Sequence, residues 1–413
     1  MKKKWNKLVL VLVIASMSMF SFTACGGGIL DYLGKEKPAS EDVEEVVEYV
    51  PDEAVEETEN TEDVTVSVPT ELSEDLYSFQ VSVDGTVYQF PMWASDFKAL
   101  GWTYQGDATQ TLSSDAYTVA ERWEKDGIEV YTSLANLTMN SVKYDEAMVG
   151  GISFDKWMMY DCDWEIVLPK GIQFKVSSKD DIIAAYGQPT DEYDGTYYYN
   201  MTYEYDSYQS VDLYVYKDTG VLEQIEIRNF VELEGGDNSV DPTVPEIVKN
   251  YTAPTELGDD LYVYNIQLEG QLYSLPCPVS ELLANGFTIQ ENNSTMEIGA
   301  GSYGWIELRY NNQSYRCIVD NYADYATIAE NCFITTMESD KYEPKFDLVI
   351  PGGITCGDSK SKVLSVLQNF NYEEDIYGEY IYYTIYHPED MYGANFTIVV
   401  ENDTVISIEV SCE

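Results

Sequence analysis

Carboxylates, cysteines and one histidine are the side chains of this sequence that could carry out chemistry. The 413 residues include 73 Asp and Glu, seven Cys and a single His, His387. Nucleophilic catalysis needs a nucleophile beside an oriented base, and no Gly-x-Ser-x-Gly turn supplies one here. The sequence also lacks a glycine-rich phosphate loop and a histidine–cysteine zinc cluster. We therefore expect no enzyme, no catalytic residue, no cofactor and no metal site, and we expect His387 to be a surface residue beside a proline turn.

The acidic excess limits the classes of partner. The formal net charge is −50, whereas nucleic-acid binding needs Lys and Arg to neutralise phosphates. The same charge disfavours docking of the folded part on anionic lipid. Carboxylate pairs are so common in this chain that they cannot identify a glycosidase, and their spacing does not match an EF-hand calcium loop. The acidity predicts a solubilising surface and a protein that does not bind nucleic acid.

The N-terminus has the pattern of an export signal. Four lysines occur within the first seven residues, and the segment from Leu8 to Phe20 is almost wholly apolar. This run is too short for a comfortable membrane span, so residues 1–24 are predicted to be a signal peptide. Small residues then lead to Cys25, which three glycines follow.

The stretch Phe22-Thr23-Ala24-Cys25 resembles the lipobox of bacterial lipoproteins. In that family the cysteine thiol receives a diacylglyceryl group, and cleavage leaves this cysteine as the mature N-terminus. The family usually has Leu where this chain has Phe22. The resemblance implies that Cys25 is lipidated and anchors the protein to the membrane outside the cytoplasm. Two acyl chains anchor a protein stably in the membrane, because each buried CH₂ contributes about 0.8 kcal/mol. An ordinary signal with an incidental cysteine and an uncleaved anchor are the alternatives.

An acidic segment follows the cysteine. From Glu36 to Asp63, thirteen acidic residues are opposed only by Lys37. Like charges repel, and the apolar side chains are too few to form a core. Residues 25–66 are therefore predicted to be a disordered linker that holds the folded part away from the membrane.

The remaining sequence contains an internal duplication. The segment PTELSEDLYSFQVSVDG begins at Pro69, and PTELGDDLYVYNIQLEG begins at Pro254, 185 residues later. A second pair of similar segments begins at Val167 and Val349, 182 residues apart. A difference of three residues is typical of loop variation between duplicated domains. We predict repeat unit 1 at 67–231, an inter-repeat linker rich in Gly, Asp and Pro at 232–253, and repeat unit 2 at 254–413.

Each copy is expected to begin with a β-hairpin and a short helix. Asp84-Gly85 and Glu269-Gly270 lie between alternating apolar residues, which predicts hairpins with two-residue turns. Ser95 and Ser280 are the predicted starts of the helix that follows.

The second part of each copy is expected to contain a longer helix and then strands. Ser177, with Asp180 three residues later, is the predicted N-cap of this helix in the first copy, and Ser359 is its match in the second. The segment TYYYNMTYEYD, which begins at Thr196, alternates so that one face carries Tyr197, Tyr199, Met201, Tyr203 and Tyr205.

This second part, from Lys170 through the tyrosine-rich strands, resembles the β-lactamase-inhibitor-protein-like and outer-membrane-assembly small lipoprotein (SmpA/OmlA) domains. The second copy lacks the Gly-x-Pro helix stop, which is Gly187 to Pro189 in the first copy. In that family, helices pack on one face of an antiparallel sheet and the other face binds proteins, and no catalytic residue carries over. The expected fold is α+β, with two tandem homologous β-rich units of antiparallel sheets and short helices on one face.

The face opposite the helices is the candidate binding surface. Strand alternation assigns to it a mixture of aromatic and polar side chains, which is typical of protein-binding surfaces. Its predicted members are Tyr198, Asn200, Thr202, Glu204, Tyr214, Tyr216, Glu226 and Arg228. Some of the 36 tyrosines only fill strands, because Tyr has a high strand propensity, but those on a polar face favour a contact role.

Six cysteines remain after Cys25, and five of them lie in the second half. An exported protein can form disulfides, but the first half has no matching framework. We therefore expect no shared disulfide scaffold and some buried free thiols.

The sequence favours a surface-anchored lipoprotein that binds an extracellular protein or a cell-wall polymer without catalysis. A solute-binding lipoprotein of a transporter is one alternative, and it would have two α/β lobes with long helices. A cell-wall hydrolase is the other, and it would have a deep pocket with converging carboxylates.

Overall fold

The computed structural model of the protein describes residues 69–201, 208–342, 346–387 and 389–412. All of them belong to one unit of the chain, Asp63–Glu413. The predicted signal peptide, Cys25 and the whole of the predicted linker at 25–66 lie outside the described residues, and so do Thr202, Tyr203, Glu204 and Tyr205. No helix in the described part is both long and apolar enough to cross a membrane.

The described residues are rich in β-structure. The strands before residue 232 are β1 Gln80–Val83, β2 Thr86–Gln89, β3 Met92–Trp93, β4 Thr103–Tyr104, β5 Thr111–Leu112, β6 Ala116–Lys125, β7 Ile128–Asn136, β8 Val142–Lys143, β9 Met148–Asp155, β10 Ile166–Leu168, β11 Ile172–Gln173, β12 Asp191–Tyr193, β13 Thr196–Asn200, β14 Gln209–Val215 and β15 Leu222–Asn229. We call this part the first half.

The second half, from residue 254 onward, continues the series. Its strands are β16 Asn265–Leu268, β17 Gln271–Ser274, β18 Cys277–Pro278, β19 Thr288–Ile289, β20 Glu297–Ile298, β21 Tyr303–Tyr310, β22 Gln313–Asp320, β23 Thr327–Ile328, β24 Phe333–Ile334, β25 Thr336–Asp340, β26 Leu348–Ile350, β27 Ile354–Thr355, β28 Tyr372–Tyr377, β29 Tyr380–His387, β30 Asp390–Glu401 and β31 Thr404–Ser411. The helices are short. They are α1 Ala94–Ala99, α2 Lys179–Tyr186, α3 Glu246–Lys249, α4 Val279–Ala284 and α5 Lys360–Leu367.

The sheets are antiparallel, and their strand order is the same in the two halves. In the first half, a small sheet has the order β11-β10-β1-β2, and a nine-stranded sheet has the order β12-β13-β14-β15-β9-β7-β6-β4 with β3 beside β9. In the second half, the small sheet is β27-β26-β16-β17. The large sheet is divided there into β28-β29-β30-β31-β25 and β19-β21-β22-β24-β18. The ribbon β5–β8 corresponds in the same way to β20–β23.

The division of the second large sheet coincides with a local difference in sequence. Strand β9 runs unbroken through Gly150 and Gly151, and a Cβ on Gly151 would lie 2.1 Å from the carbonyl oxygen of Ile227 on β15. Glycine therefore allows β15 to approach β9 closely. In the second half, β18 pairs with β24 as β3 pairs with β9. This register places Thr335 and Thr336 at the positions that Gly150 and Gly151 occupy in the first half. There the strand is interrupted at Thr335, between β24 and β25.

The predicted hairpins are confirmed. Val83 pairs with Thr86, and Leu268 pairs with Gln271, which leaves two residues in each turn. Asp84 and Gly85 have φ of 48° and 83°, and the second turn has nearly the same angles. Positive φ at both central residues matches the twist of the flanking strands, and this explains the glycine at the second position.

The helix starts differ from the prediction by one residue. Helices α1 and α4 begin at Ala94 and Val279 without a side-chain cap, so Ser95 and Ser280 lie inside the first turn. A tertiary contact replaces the cap, because the Ala94 amide donates to the Ala147 carbonyl at 3.0 Å. The equivalent bond in the second half runs from Val279 to Cys332 at 2.9 Å.

The N-cap of α2 is Ser178 and not Ser177. Ser178 forms a capping box with Asp181, because each side chain accepts a hydrogen bond from the other residue's backbone amide. Ser177 is buried, and its hydroxyl accepts a hydrogen bond from the Gln173 amide at 2.9 Å. In the second half, Ser359 caps α5 as predicted.

Buried apolar residues form one core cluster in each half. In the first half, Ile182 of α2 belongs to the same cluster as Tyr197 and Tyr199 of β13. The Tyr199 hydroxyl donates to the carbonyl of Gly187, just after the helix, at 3.1 Å. Met201 was expected on this buried face, but β13 ends at Asn200 and Met201 is more than half exposed.

The two halves contact each other directly. The Ser114 amide donates to the Ala300 carbonyl at 2.9 Å, and the Ala300 amide donates to the Met139 carbonyl at 2.8 Å. A Cβ on Gly299 would lie 2.2 Å from the Ser114 hydroxyl, so a larger residue cannot replace this glycine without movement. The segment predicted as a linker joins this contact, since the Thr327 hydroxyl donates to the Asp241 carbonyl at 2.8 Å.

Candidate functional site

The candidate surface lies on the large sheet of the first half. Along β13, β14 and β15 the side chains alternate, and the buried set faces α2. The opposite side of these strands, which we call the outer face, carries half-buried side chains. Its members are Tyr198, Asn200, Asp212, Tyr214, Glu226 and Arg228.

Strand register brings most of the predicted residues together. Tyr198 pairs with Asp212, and Asp212 pairs with Glu226, so these three lie in one row across the sheet. In the next row, Ser210 lies between Asn200 and Arg228. The predicted binding residues Thr202 and Glu204 lie outside the described residues.

Asp212 is the group in this surface that the sequence reasoning missed. Burial raises the pKa of its carboxyl to about 6, the negative charge of Glu226 adds to the rise, and Arg228 and a hydrogen bond from Ser210 oppose it. Its Oδ1 is buried without a hydrogen-bond partner among the described atoms. The carboxyl can therefore gain or lose a proton near neutral pH, in a row that also contains a tyrosine and a second carboxylate. Strand alternation could have placed Asp212 on this face.

Glu226 and Arg228 form an ion pair on the outer face. Their side chains are 29% and 19% exposed, so the pair is partly shielded from water. Beyond Arg228 the same strand leads to Phe230, whose ring lies over Gly150, where a Cβ would come within 2.4 Å of it. The glycine thus makes room for an aromatic ring at this end of the face.

An aromatic triad extends the outer face at this end. Tyr117, Tyr208 and Phe230 contact one another, with ring centroids 5.3 to 5.9 Å apart. Tyr117 and Tyr208 are 49% and 46% exposed. The three residues come from separate parts of the sequence, so no local pattern indicated that they meet.

Tyr216 is less free than predicted. It follows the end of β14, its ring lies 4.5 Å from that of Tyr214, and Lys156 Nζ lies 3.6 Å from its centroid. Lys156 also pairs with the carboxylate of Glu223. One side of the Tyr216 ring is therefore covered by a cation of the same chain, which makes Tyr214 the better candidate for a contact with a partner.

A repeated turn presents one exposed aromatic residue in each half. In the first half, the Asp155 carboxylate accepts a hydrogen bond from the Trp157 amide at 2.7 Å. In the second half, Asp340 and Tyr342 do the same at 2.7 Å. Trp157 is 69% exposed and Tyr342 is 62% exposed. The signal in the sequence was the repeated Asp-Lys-aromatic triplet, which begins at 155 and again at 340.

The second half does not repeat the charged row. By strand register, Glu409 is the equivalent of Glu226. Glu409 pairs with Thr397, whereas Glu226 pairs with Asp212, so Thr397 occupies the position of Asp212. Ser411 lies two residues after Glu409, where the first half has Arg228. The raised carboxyl pKa and the partly buried ion pair are therefore features of the first half.

A cleft of about 210 Å³ lies at the junction with the 232–253 segment. Its walls include Trp93, Asn136, Thr138 and Gly236. The Trp93 indole donates to the Glu234 carbonyl at 3.3 Å, which holds this segment against the first half. The lining is chiefly apolar side chains, amides and backbone, with carboxylates only at Glu232 and Asp237.

The described cysteines are all free thiols, and all but the half-buried Cys356 are buried. Burial raises the pKa of Cys277, Cys332 and Cys412 to about 12. In the described residues, no group of three or more His, Cys, Asp or Glu is placed to hold a metal ion. His387 accepts the Glu389 amide at Nδ1, at 3.2 Å, and its ring lies 5.3 Å from that of Tyr262.

Comparison with known proteins finds no match for this chain. No protein-family model matches it, no curated protein matches it, and no solved structure matches it.

Proposed function

We propose that this protein is a lipid-anchored, extracytoplasmic binding protein. In this proposal Cys25 carries the lipid, residues 25–66 form a tether, and two tandem homologous β-rich units form the folded part. The outer face binds an extracellular protein or a cell-wall polymer without catalysing a reaction. The observation that carries the proposal is the continuous surface formed by the outer face and the aromatic triad.

The composition of this surface supports binding. Tyrosine offers a rigid, amphipathic contact area, and Tyr and Arg are enriched among the residues that dominate interface energies. Tyr198 and Tyr214 lie at one end of the surface, Arg228 in the middle, and the triad at the other end. Half-exposed aromatic rings grouped around a shielded ion pair provide the apolar centre and polar groups that protein interfaces combine.

The shared strand order supports the proposal of tandem homologous units. The equivalent hairpins, the capped helices α2 and α5, and the Asp-Lys-aromatic turns recur in the same order along the chain. Two linked units can engage two sites on one partner, which raises overall binding without new contacts. The lipid anchor rests on the sequence from Lys2 to Cys25.

The binding proposal is tested by truncating the exposed part of the surface. The purified protein is incubated with cell-envelope fractions, and bound material is identified and titrated. We expect Tyr117→Ala with Tyr208→Ala to weaken binding about 30-fold, since truncating an aromatic anchor of an interface typically costs about 2 kcal/mol or more. The matched control is Tyr303→Ala, because Tyr303 is the equivalent of Tyr117 in the second half by strand pairing. A folded double variant that binds with undiminished affinity contradicts the proposed surface.

The anchor is tested separately. Cys25→Ala should release the protein from the membrane fraction and abolish labelling by radioactive fatty acid. Unchanged membrane association together with unchanged lipid labelling contradicts lipidation of Cys25.

A further inference from the structure

Strand β28 is an exposed sheet edge in the second half. It is the last strand in the order β25-β31-β30-β29-β28, and within the described ranges no strand pairs with its other side. Every residue of β28 is exposed. Such an edge presents unpaired backbone N–H and C=O groups, which can template the pairing of another strand.

The side chains of β28 combine negative charge with apolar groups. Glu373, Glu374 and Asp375 are consecutive, and none of them takes part in an ion pair within the described part of the chain. Ile376 and Tyr377 follow, and they are 64% and 67% exposed. An edge of this kind has strong charge at its centre and an apolar contact area at one end.

The equivalent edge of the first half differs in that lysines of its own chain pair with two of its carboxylates. Strand β12 has three residues, and its Glu192 pairs with Lys179 at 3.1 Å. Asp194, in the turn that follows, pairs with Lys217. In the second half, Lys360 occupies the position of Lys179 after the helix cap, but its Nζ lies 6.0 Å from the ring of Tyr383. Within the described ranges, no lysine or arginine pairs with a carboxylate of β28, whereas Lys179 and Lys217 pair with Glu192 and Asp194 at the first edge.

We propose that β28 is a docking edge for a basic, extended peptide segment of a partner protein, which adds to the sheet as a further strand. Main-chain hydrogen bonds give such an added strand its affinity, and side chains on alternate positions give it specificity. Opposite charges facing each other across strands are stabilising. Successive side chains of β28 point to opposite faces, so Glu373 and Asp375 share one face while Glu374 and Ile376 share the other. Lysines or arginines of the partner lie opposite Glu373 and Asp375, and its apolar residues pack on the face that carries Ile376.

Charge excludes the other occupants that the chain itself could supply. A second copy would place its own Glu373, Glu374 and Asp375 against the same residues, and like charges directly opposite each other are destabilising. The acidic segment from Glu36 to Asp63 is disfavoured for the same reason. This inference rests on the proposed binding role but names a different surface, so the two can fail independently.

The probe is a short fluorescein-labelled peptide of alternating lysine and valine, titrated against the full-length protein in detergent by fluorescence anisotropy. We expect saturable binding and slower hydrogen exchange at the β28 amides. The triple variant E373Q/E374Q/D375N should weaken binding about tenfold, because it removes the two cross-strand charge pairs at Glu373 and Asp375 together with the charge of Glu374. The control is D191N/E192Q/D194N at the equivalent edge, which should bind like the wild type.

One further measurement separates strand addition from simple charge attraction. The same peptide with alternate backbone nitrogens methylated keeps its charge but loses the edge hydrogen bonds, and it should bind at least tenfold more weakly. Equal binding of the methylated peptide, equal losses in the two triple variants, or no binding at all would overturn the proposal. Tyr117→Ala with Tyr208→Ala should leave peptide binding unchanged, so a failure here does not decide the role of the outer face.

Discussion

Asn136 and Asn321 make the same set of hydrogen bonds in the two halves. Asn136 Nδ2 donates to the carbonyls of Leu112, Ser113 and Asn140 at 2.8 to 3.0 Å. Asn321 Nδ2 donates to three equivalent carbonyls at 2.8 to 3.1 Å. Each Oδ1 accepts the backbone amide two residues later. Both side chains are buried, and each one joins two separate segments of its half through these bonds.

Replacing either asparagine should destabilise the fold by a similar amount. Asn136→Ala and Asn321→Ala each leave buried carbonyls without a donor, and we expect a loss of about 2–4 kcal/mol in the free energy of unfolding. Urea unfolding followed by circular dichroism measures this loss. Asn371→Ala, at an exposed position, is the control and should change stability by less than about 0.5 kcal/mol. Losses below 1 kcal/mol at both buried sites would contradict the assigned role.

Asp212→Asn should stabilise the protein in a pH-dependent way. The folded-state pKa of Asp212 is raised from 3.8 to about 6, so the folded state favours the protonated carboxyl. This contribution to stability is present below about pH 4 and is lost as the pH rises through 6. The variant should therefore be more stable than the wild type by roughly 1–3 kcal/mol at pH 7.5.

The same comparison at pH 3.5 should show almost no difference, because the wild-type carboxyl is then protonated in the folded state. Thermal unfolding of both proteins across this pH range is the measurement. Asp375→Asn, on the exposed edge strand, serves as the control. A variant that is equally destabilised at both pH values would contradict the raised pKa.

Lys156 and Glu223 form a shielded ion pair, with side chains 19% and 10% exposed. Glu223→Gln leaves the lysine charge without its carboxylate, and we expect a loss of about 2–4 kcal/mol. Glu146→Gln, in the exposed pair with Lys143, should cost less than about 0.5 kcal/mol. The double variant K156M/E223L should recover part of the loss. Equal effects of the two glutamine substitutions on chemical unfolding would show that shielding does not matter here.

The buried cysteines should resist alkylation in the native protein. Burial raises the pKa of Cys277, Cys332 and Cys412 to about 12, so almost no thiolate forms at pH 8. Iodoacetamide should label these residues at rates that follow unfolding, and mass spectrometry of the peptides measures each rate. Because the folded-state pKa is raised, their stabilising contribution is full below the unfolded pKa of about 8.5 and falls above it. Rapid labelling in native buffer would contradict this.

Local sequence patterns predicted the turns and the alternation of the strands. Asp84-Gly85 predicts its hairpin because the left-handed backbone of that turn is easily adopted by glycine and tolerated by aspartate. Helix starts were less predictable, since α1 begins at Ala94 through a hydrogen bond to the carbonyl of Ala147, more than fifty positions away. The alternation that assigned Met201 to the core failed because β13 ends at Asn200.

The candidate site was predicted in part. Alternation places Tyr198, Tyr214 and Arg228 on one face, because successive strand side chains point to opposite sides. It does not show which residues become neighbours. The aromatic triad and the contact of the Lys156 ammonium with the Tyr216 ring both join residues that are far apart in the sequence.

The sequence by itself determined the order of turns, strands and helices in each half, because these depend on residues within a few positions of one another. Only the tertiary structure decided which strands pair, that the second large sheet is interrupted at Thr335, and that the Asp212 carboxyl titrates near pH 6. The physical reason is that strand pairing, burial and charge–charge interaction act between residues that folding brings together from distant parts of the chain.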